Sequence, residues 1–282
     1  MAVRIITDSA ADLSRDMIRE RSVEVMPIKI SFGSEELRDG VDISTEEFYD
    51  RMSTEAELPK TSQINPFEYR EKYRQVIETG DTAVVITISS KLSGGCQSAM
   101  TAAAEFPEQI FVVDSLNATV GQLVMVELAC RLRDRGMDAE QIACALEEKK
   151  GSICVLAMLD TLENLKKGGR ISPAAATVGS LLNVKPLAAL RDGEIVVLGK
   201  ARGARMGYVK LNEFIAQEGV IDYDMPLCFG YTGNSAEMLI SYQKTNGELF
   251  EGRVYDIPVA QIGSAIGTHV GTGTIIIAYF RR

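Results

Sequence analysis

Short apolar strands alternate with helices along the first half of the chain. Val3–Thr7, Ala83–Ile88 and Ile110–Val113 are predicted strands, and a helical pattern follows each of them. Ala83–Ile88 is almost wholly apolar, which is typical of a strand covered on both faces of a parallel sheet. Strands that are separated by helices pair in parallel. The alternation therefore predicts an α/β fold whose N-terminal domain, residues 1–150, is built on a doubly wound parallel sheet.

A different pattern begins near Gly151. Val184–Leu190 and Glu194–Gly199 flank Asp192-Gly193, a two-residue turn signal that predicts a β-hairpin. A hairpin makes the sheet that contains it partly antiparallel. We therefore predict a second α/β domain with a mixed sheet over residues 151–282.

Local patterns give four further predictions. Val25–Phe32 and Arg253–Ile257 are each predicted as a single strand because apolar side chains recur in them. Leu58–Pro66 is predicted to be irregular since it holds two prolines, and Ser34–Gly40 is predicted to be a turn. Ser172-Pro173 has the residue types of an N-cap and a first helical position, so a helix is predicted to begin there.

Length and charge limit the possible functions. A chain of 282 residues suits two compact domains of ~140 residues each. Its 39 acidic residues outnumber its 30 lysines and arginines, which gives a net charge of −9. Because an acidic chain repels phosphate backbones and this one has no basic patch, nucleic acid is not an expected partner.

Membrane spans and metal sites are not expected either. The longest apolar stretches fall short of the ~18–20 residues that span a bilayer, and the N-terminus is predicted as a strand rather than a signal peptide. We therefore expect a cytoplasmic protein with no transmembrane segment. The five cysteines lack metal-knuckle spacing, and there is one histidine. The remaining candidate ligands, such as Asp8, Asp39 and Asp42, are more typical of helix caps and turns, so no metal is predicted.

The loop after Ala83–Ile88 is the first candidate binding segment. Ligands of parallel sheets gather at the carboxyl ends of the strands. Ser89–Gly95 lies at such an end, where Gly94 and Gly95 let backbone N–H groups at a helix N-terminus approach an anion. The same residues also fit an ordinary strand–helix turn with a serine cap. The spacing of a phosphate-binding P-loop is absent.

Four more polar residues are candidates. Thr61 and Ser62 lie in a polar loop whose hydroxyls either donate to a carboxylate or phosphate or form only local capping bonds. His269 is flanked by glycines that can present its ring at a cleft, while a lone histidine is often structural. Arg202 offers either a fixed charge for an anion or a solvated side chain.

Enzyme chemistry is the alternative function. Ser93, Asp114 and His269 are the residue types of a hydrolase triad, but the G-x-S-x-G elbow that gives such a set its context is absent. A second enzyme hypothesis is a phosphotransferase that uses His269 as a covalent anchor for a small carbonyl substrate. Both hypotheses stay open at this point.

Nine segments together resemble the DegV family and cover nearly the whole chain. Each is a weak signal alone, but their shared order and spacing make the resemblance specific. The segments are Thr7–Leu13, Ile30–Gly33, Arg38–Ile43, Thr61–Gln63, Leu92–Gly94, Asp114–Asn117, Leu162–Ile171, Lys200–Arg202 and Gly267–Thr274.

The resemblance implies two α/β domains with a long-chain fatty acid, such as palmitate, held at the seam between them. It implies a lipid-binding carrier rather than an enzyme, with no cofactor beyond the bound fatty acid. The carrier would offer the acyl group to a separate fatty acid kinase. The acyl phosphate formed by that kinase would serve bacterial phospholipid synthesis.

The resemblance also assigns residues by motif match. The residues implied to bind the fatty acid carboxylate are Thr61, Ser62, Ser93, Gly94 and His269. Arg202 and His269 are implied in presentation to the kinase. No motif assigns the residues that contact the acyl chain; it is expected to lie along apolar residues between the domains, and the candidates are Ile28, Ile30, Met158 and Leu159.

Three positions depart from the family pattern. Ile64 stands where the family often has proline, Gly95 where threonine is usual, and Thr272 where proline is common. These changes affect loop stiffness, so they bear on chain-length preference and head-group geometry more than on the class of ligand.

Overall fold

The computed structural model of the protein describes residues 2–55, 57–172 and 183–282. In these ranges the strands are β1 (Val3–Asp8), β2 (Val23–Met26), β3 (Lys29–Phe32), β4 (Glu35–Arg38), β5 (Lys60–Ser62), β6 (Thr82–Thr87), β7 (Ile110–Asp114), β8 (Ile153–Met158), β9 (Val184–Arg191), β10 (Glu194–Arg202), β11 (Leu227–Tyr231), β12 (Val259–Gln261) and β13 (Ile275–Phe280). The helices are α1 (Arg15–Arg21), α2 (Thr45–Thr54), α3 (Pro66–Glu78), α4 (Gly95–Ala103), α5 (Val120–Asp134), α6 (Ala139–Lys149), α7 (Glu163–Lys167), α8 (Gly203–Glu218), α9 (Glu237–Thr245) and α10 (Ser264–Val270).

Two further points concern these ranges. The helix predicted to begin at Ser172-Pro173 falls on residues 173–182, which lie outside them. None of the helices within them is long and apolar enough to cross a membrane.

The first sheet is parallel, in the order β2–β1–β6–β7. Ile5 of β1 pairs with Val23 on one side and Val84 on the other, so β1 lies inside the sheet. Ile5 and Val84 are fully buried, and helices α3, α4, α5 and α6 pack against these strands. The doubly wound parallel sheet predicted for the N-terminal half is confirmed.

The second sheet has six strands in the order β10–β9–β8–β13–β11–β12. Its neighbours pair antiparallel, except for β11 and β12, which pair in parallel. β9 and β10 form the predicted hairpin, with Asp192 and Gly193 at φ angles of 49° and 85° in its turn. Positive φ at both turn positions suits the twist of the flanking strands. The mixed sheet predicted for the C-terminal half is confirmed.

A third sheet of three strands is absent from the sequence-based prediction. The single strand predicted over Val25–Phe32 is wrong, because Pro27 has no N–H to donate and interrupts the pairing. β2 ends at Met26 in the first sheet, and β3 begins at Lys29 and pairs antiparallel with β4 and β5. Ser34–Gly40, which was predicted to be a turn, therefore contains β4. Leu58–Pro66, which was predicted to be irregular, contains β5.

The strand predicted over Arg253–Ile257 is also wrong. The backbone forms a turn there, in which the Asp256 N–H donates to the Arg253 carbonyl at 2.8 Å. Val254 and Ile257 are buried, but they lie three residues apart, whereas one face of a strand repeats every two residues. The strand that joins this edge of the sheet is β12.

One hydrophobic core runs through both halves of the chain. Helix α5 packs against β1 and β6 of the first sheet and against β8, β11 and β13 of the second. Its residues from Val120 to Cys130 are all buried. As a result, Ile276 and Phe280 of β13 belong to the same cluster as Ile5 of β1. The domain boundary near Gly151 stays a prediction.

Helix α10 is attached to the first half. Asp39 accepts the N–H groups of Ser264 and of the next residue, each at 3.2 Å, and Asp12 accepts the N–H of Gly263 at 2.7 Å. Carboxylates suit this position, because the first N–H groups of a helix have no partner within it. Burial raises the pKa of both carboxyl groups. Since His269 lies in the last turn of α10, these contacts fix where its ring can lie.

Asp8 ties together the ends of three elements. Its carboxylate accepts the N–H of Ile88 at 2.8 Å, the N–H of Ala10 at 3.1 Å and the side-chain amide of Gln122 at 3.1 Å. Burial raises its pKa to about 6. Asp8 thus fixes the end of β1 against the residue after β6 and against α5.

Asp8→Ala is expected to lower the free energy of unfolding by about 3 kcal/mol, because the buried N–H groups of Ala10 and Ile88 lose their acceptor and the Gln122 amide loses one of its partners. Urea unfolding at neutral pH measures the change. The control is Asp16→Ala, which removes an exposed carboxylate paired with Arg19 and should leave stability nearly unchanged. Equal effects of the two substitutions would contradict this account of Asp8.

Candidate functional site

A cavity of about 210 Å³ lies where the two large sheets meet. On one side it is lined by Ala10 and Ile88, which follow the carboxyl ends of β1 and β6, and on the other by strands β8, β9 and β13. This end of a parallel sheet is where ligands of α/β folds bind. Further aliphatic lining residues are Ile28, Leu92, Val155, Ala157, Leu159, Leu165, Ala188, Leu190, Ile195, Ile266, Val270 and Ile276.

Thr61 and His269 form the first polar contact of the cavity. The Thr61 Oγ1 atom lies 2.9 Å from Nε2 of His269 and joins β5 to α10. Gly168 packs against the opposite edge of the imidazole, and a Cβ atom there would overlap Nδ1. The ring is thus held between a hydroxyl and a backbone that has no side chain.

The loop before α4 contributes the second polar contact. The Gln63 side chain lies over Gly94, where it leaves no room for a Cβ atom, and donates to Ser98 Oγ at 3.1 Å. The Ser93 Oγ atom accepts the N–H of Gly95 at 3.2 Å. Because the Ser93 oxygen is the acceptor in this bond, its hydroxyl hydrogen remains to be donated to a ligand.

Arg170 links the two polar contacts, so that the residues involved form a continuous ring. Its Nε donates to the Leu92 carbonyl at 3.1 Å, and its Nη1 donates to the Gly168 carbonyl at 2.6 Å. We call this set of residues the polar ring. Its members are Thr61, Gln63, Leu92, Ser93, Gly94, Gly168, Arg170 and His269. Arg170 is the only aspartate, glutamate, lysine or arginine among the described residues that line the cavity, so the polar end favours an anion.

His269 is neutral at physiological pH. Burial of the ring and, to a smaller extent, the positive charge of Arg170 lower its pKa to about 4. Among the described residues the buried Nδ1 has no hydrogen-bond partner, so we place the single ring hydrogen on Nε2, where it is donated to Thr61. The Thr61 oxygen is then the acceptor in this bond, so its hydroxyl hydrogen remains to be donated elsewhere.

The structure brings together most of the residues singled out in the sequence. Thr61, Ser62, Ser93, Gly94 and His269 all line the cavity. Arg202 does not: it is exposed at the end of β10, directly before α8.

The residues expected to contact an acyl chain divide evenly. Ile28 and Leu159 line the cavity, whereas Ile30 and Met158 do not. Side chains alternate along β8, so Met158 points away from the cavity and meets Gly207 of α8. Ile30 is fully buried inside the third sheet.

Sequence analysis missed Arg170. It follows two glycines that end α7, and one of them, Gly169, has a φ of 69° that reverses the backbone. The sequence signal that could have identified Arg170 is its position directly after two glycines, which allow such a reversal. Only the folded chain shows that it reaches the Leu92 carbonyl.

The hydrolase triad is not assembled within the described ranges. Asp114 accepts the N–H groups of Ser90 and Leu116, at 3.2 and 3.0 Å, and His269 Nδ1 has no carboxylate partner there. A triad needs a carboxylate on that nitrogen to orient the imidazole.

The fold and the site define a class of α/β protein in which an apolar cavity between two sheets ends in a ring of neutral hydrogen-bonding groups and one guanidinium. The DegV family model matches residues 2–282 of the chain. The chain therefore belongs to the DegV family.

The relatives below match from about three quarters to all of the chain. A DegV domain-containing protein of Clostridium perfringens is 38% identical over 204 residues, which cover 72% of this chain and 73% of the relative. The solved structure of a fatty acid-binding DegV family protein from Thermus thermophilus has a TM-score of 0.88 and 31% identity, covering 99% of this chain and 100% of that one. A stearic acid-binding protein from Eubacterium ventriosum has a TM-score of 0.85 and 28% identity, covering 100% and 98%.

The lone histidine of the chain permits a direct test of the site's electrostatics. We expect the ring protons of His269 in the untagged, ligand-free protein to titrate near pH 4, and near the ordinary value of 6.5 in urea. Proton NMR between pH 3.5 and 8 measures both. The free energy of unfolding must then decrease as pH falls from about 6.5 towards 4, because in this range only the unfolded chain takes up the His269 proton. Titration of the folded protein near 6.5 would contradict the buried, neutral ring.

Proposed function

We propose that this protein binds a long-chain fatty acid, with the acyl chain in the apolar cavity and the carboxylate at the polar ring. The observation that carries the proposal is the separation of chemistry inside one cavity: aliphatic walls, and hydroxyls with a single guanidinium at one end. Fatty acid binding by the Thermus thermophilus and Eubacterium ventriosum relatives supports the same ligand class.

Burial of the acyl chain would supply most of the affinity. A sixteen-carbon acid removes ~14–15 methylenes from water, worth roughly 11–12 kcal/mol before costs at about 0.8 kcal/mol each. Ordering and lost translation offset from several to more than ten kcal/mol of this. The net affinity therefore depends on how completely the chain is covered.

The head group needs hydrogen-bond donors because an ionised carboxylate cannot be buried bare. Thr61 and Ser93 would donate through their hydroxyl hydrogens, since their oxygens are already occupied by His269 and by the Gly95 N–H. Arg170 would supply the compensating charge from the same ring. In this arrangement neutral hydroxyls contact the ligand directly, and its oxygens stay accessible on their remaining lone pairs.

A carboxylate bound in this way, with its oxygens accessible, suits a cytoplasmic carrier that presents its ligand to a separate fatty acid kinase. In the partner's reaction a carboxylate oxygen would attack the γ-phosphorus of ATP, giving an acyl phosphate and ADP, and the acyl phosphate would enter bacterial phospholipid synthesis. His269 would act in presentation through Thr61. Arg202 would act from the protein surface, because it is exposed and lies outside the cavity lining.

The ligand itself is the first test. We expect organic extraction of the purified protein, followed by mass spectrometry, to yield long-chain fatty acids. Thr61→Ala with Ser93→Ala should weaken palmitate binding roughly tenfold for each lost hydrogen bond to the carboxylate. The control pair is Ser53→Ala with Thr54→Ala on α2, whose hydroxyls bond only to backbone carbonyls. A folded wild-type protein without bound acid or affinity for palmitate would overturn the proposal.

Presentation is tested apart from binding. We expect Arg202→Ala to leave the palmitate dissociation constant unchanged and to lower acyl phosphate formation roughly tenfold when a bacterial fatty acid kinase and ATP are added. Hydroxamate trapping measures the product. Arg205→Ala, at an exposed arginine in the first turn of α8, is the matched control. If both variants support the wild-type rate, Arg202 has no part in presentation.

A further inference from the structure

The cavity runs along β8 and β9 away from the polar ring. Leu159, just after β8, belongs to one hydrophobic cluster with Leu165 of α7 and Ile171, the neighbour of Arg170, so this is the polar end. Val155 lies four residues back along β8, roughly 13 Å away at the usual rise of a strand. The far end of the cavity is therefore built by the first residues of β8 and by their partners on β9.

Two cross-strand pairs face the cavity and differ in size. Ala157 pairs with Ala188, and Val155 pairs with Leu190. Residues two apart on a strand share a face, so the pairs follow each other along one wall. The alanine pair leaves space for a ligand, and the larger pair fills the space beyond it.

A second cavity of about 290 Å³ lies behind the larger pair. Val155 and Leu190 line both cavities, and so does Ala189, the residue before Leu190 on β9. The lining beyond them includes Leu116 and Ile153 but is mostly polar, and Glu218 forms ion pairs there with Arg191 and with Arg281. The Val155–Leu190 pair therefore separates an apolar space from a charged one.

We propose that the Val155–Leu190 pair is the stop for the methyl end of the acyl chain and sets the longest fatty acid that the protein binds well. This inference rests on the proposed fatty acid function. Methylenes that reach the pair are covered by aliphatic side chains. Methylenes that pass it would meet the ion pairs of Glu218 and gain little from burial.

The stop is backed by the main chain of α5. A Cβ atom on Gly121 would overlap the Val155 side chain, so Val155 already lies directly on that backbone. Leu190 is only partly buried and packs against the shared core. The Val155 side chain therefore has no space to move away from the cavity. Replacing Leu190 by a smaller residue, in contrast, would join the two cavities.

The test uses Leu190→Ala against Leu165→Ala. Both remove the same atoms from the cavity wall, but Leu165 lies on α7 beside the polar ring and does not line the second cavity. Each protein is offered an equimolar mixture of saturated acids from twelve to twenty-two carbons, and the bound acids are quantified by mass spectrometry. Burial of one methylene is worth roughly fourfold in affinity.

We expect Leu190→Ala to raise the bound ratio of twenty-carbon to sixteen-carbon acid on the order of tenfold over wild type. Leu165→Ala should lower total binding without this shift. As a second variant, Ala188→Val narrows the passage ahead of the stop and should shift binding towards shorter acids. If Leu190→Ala and Leu165→Ala give the same chain-length profile while wild type binds acids, the stop is refuted and the fatty acid function stands. If wild type binds none, the proposed function itself fails.

Discussion

The attachment of α10 to the first half of the chain is the contact on which the site depends. Asp12 and Asp39 bind the start of the helix through three backbone N–H groups, and Thr61 meets His269 near its end. Between them, Gly267 lies so close to Phe48 and Tyr49 that a side chain would overlap both rings. With both ends and the middle of α10 in contact with the first half, the imidazole is held beside Thr61 and Gly168, next to the rest of the polar ring.

The polar ring works through neutral groups that are themselves oriented. Thr61 accepts a hydrogen bond from the imidazole, and Ser93 accepts one from the start of α4, so the rotation of each hydroxyl is restricted before a ligand binds. Donors that are oriented in advance lose little freedom on binding. The single guanidinium of Arg170 donates to two carbonyls of the same ring, which places its charge at the cavity, and no carboxylate of the described residues forms an ion pair with it. A polar end of this kind suits one negative charge on a long apolar body.

The sequence predicted what depends on periodicity and missed what depends on tertiary pairing. The apolar run of β6 and the turn at Asp192-Gly193 are local signals, and both sheets follow from them. The third sheet has exposed residues in β4 and only three residues in β5, so neither strand shows an apolar period. The hydroxyls and His269 were predicted from motifs, and they do line one cavity. Arg170 was missed because its place depends on the Leu92 carbonyl, which lies 78 residues away in the sequence and which only the fold brings near it.

The shared core has an evolutionary consequence. Helix α5 precedes Gly151 in the chain yet packs on strands from both sheets, and α10 follows Gly151 yet is bound by Asp12 and Asp39. A genetic exchange at the middle of the gene would separate each of these helices from half of its contacts. The two halves are therefore poor units for recombination between distant relatives, and substitutions in them must compensate one another across the seam. Diversification of ligand preference is then expected through point changes along the cavity wall rather than through shuffled halves.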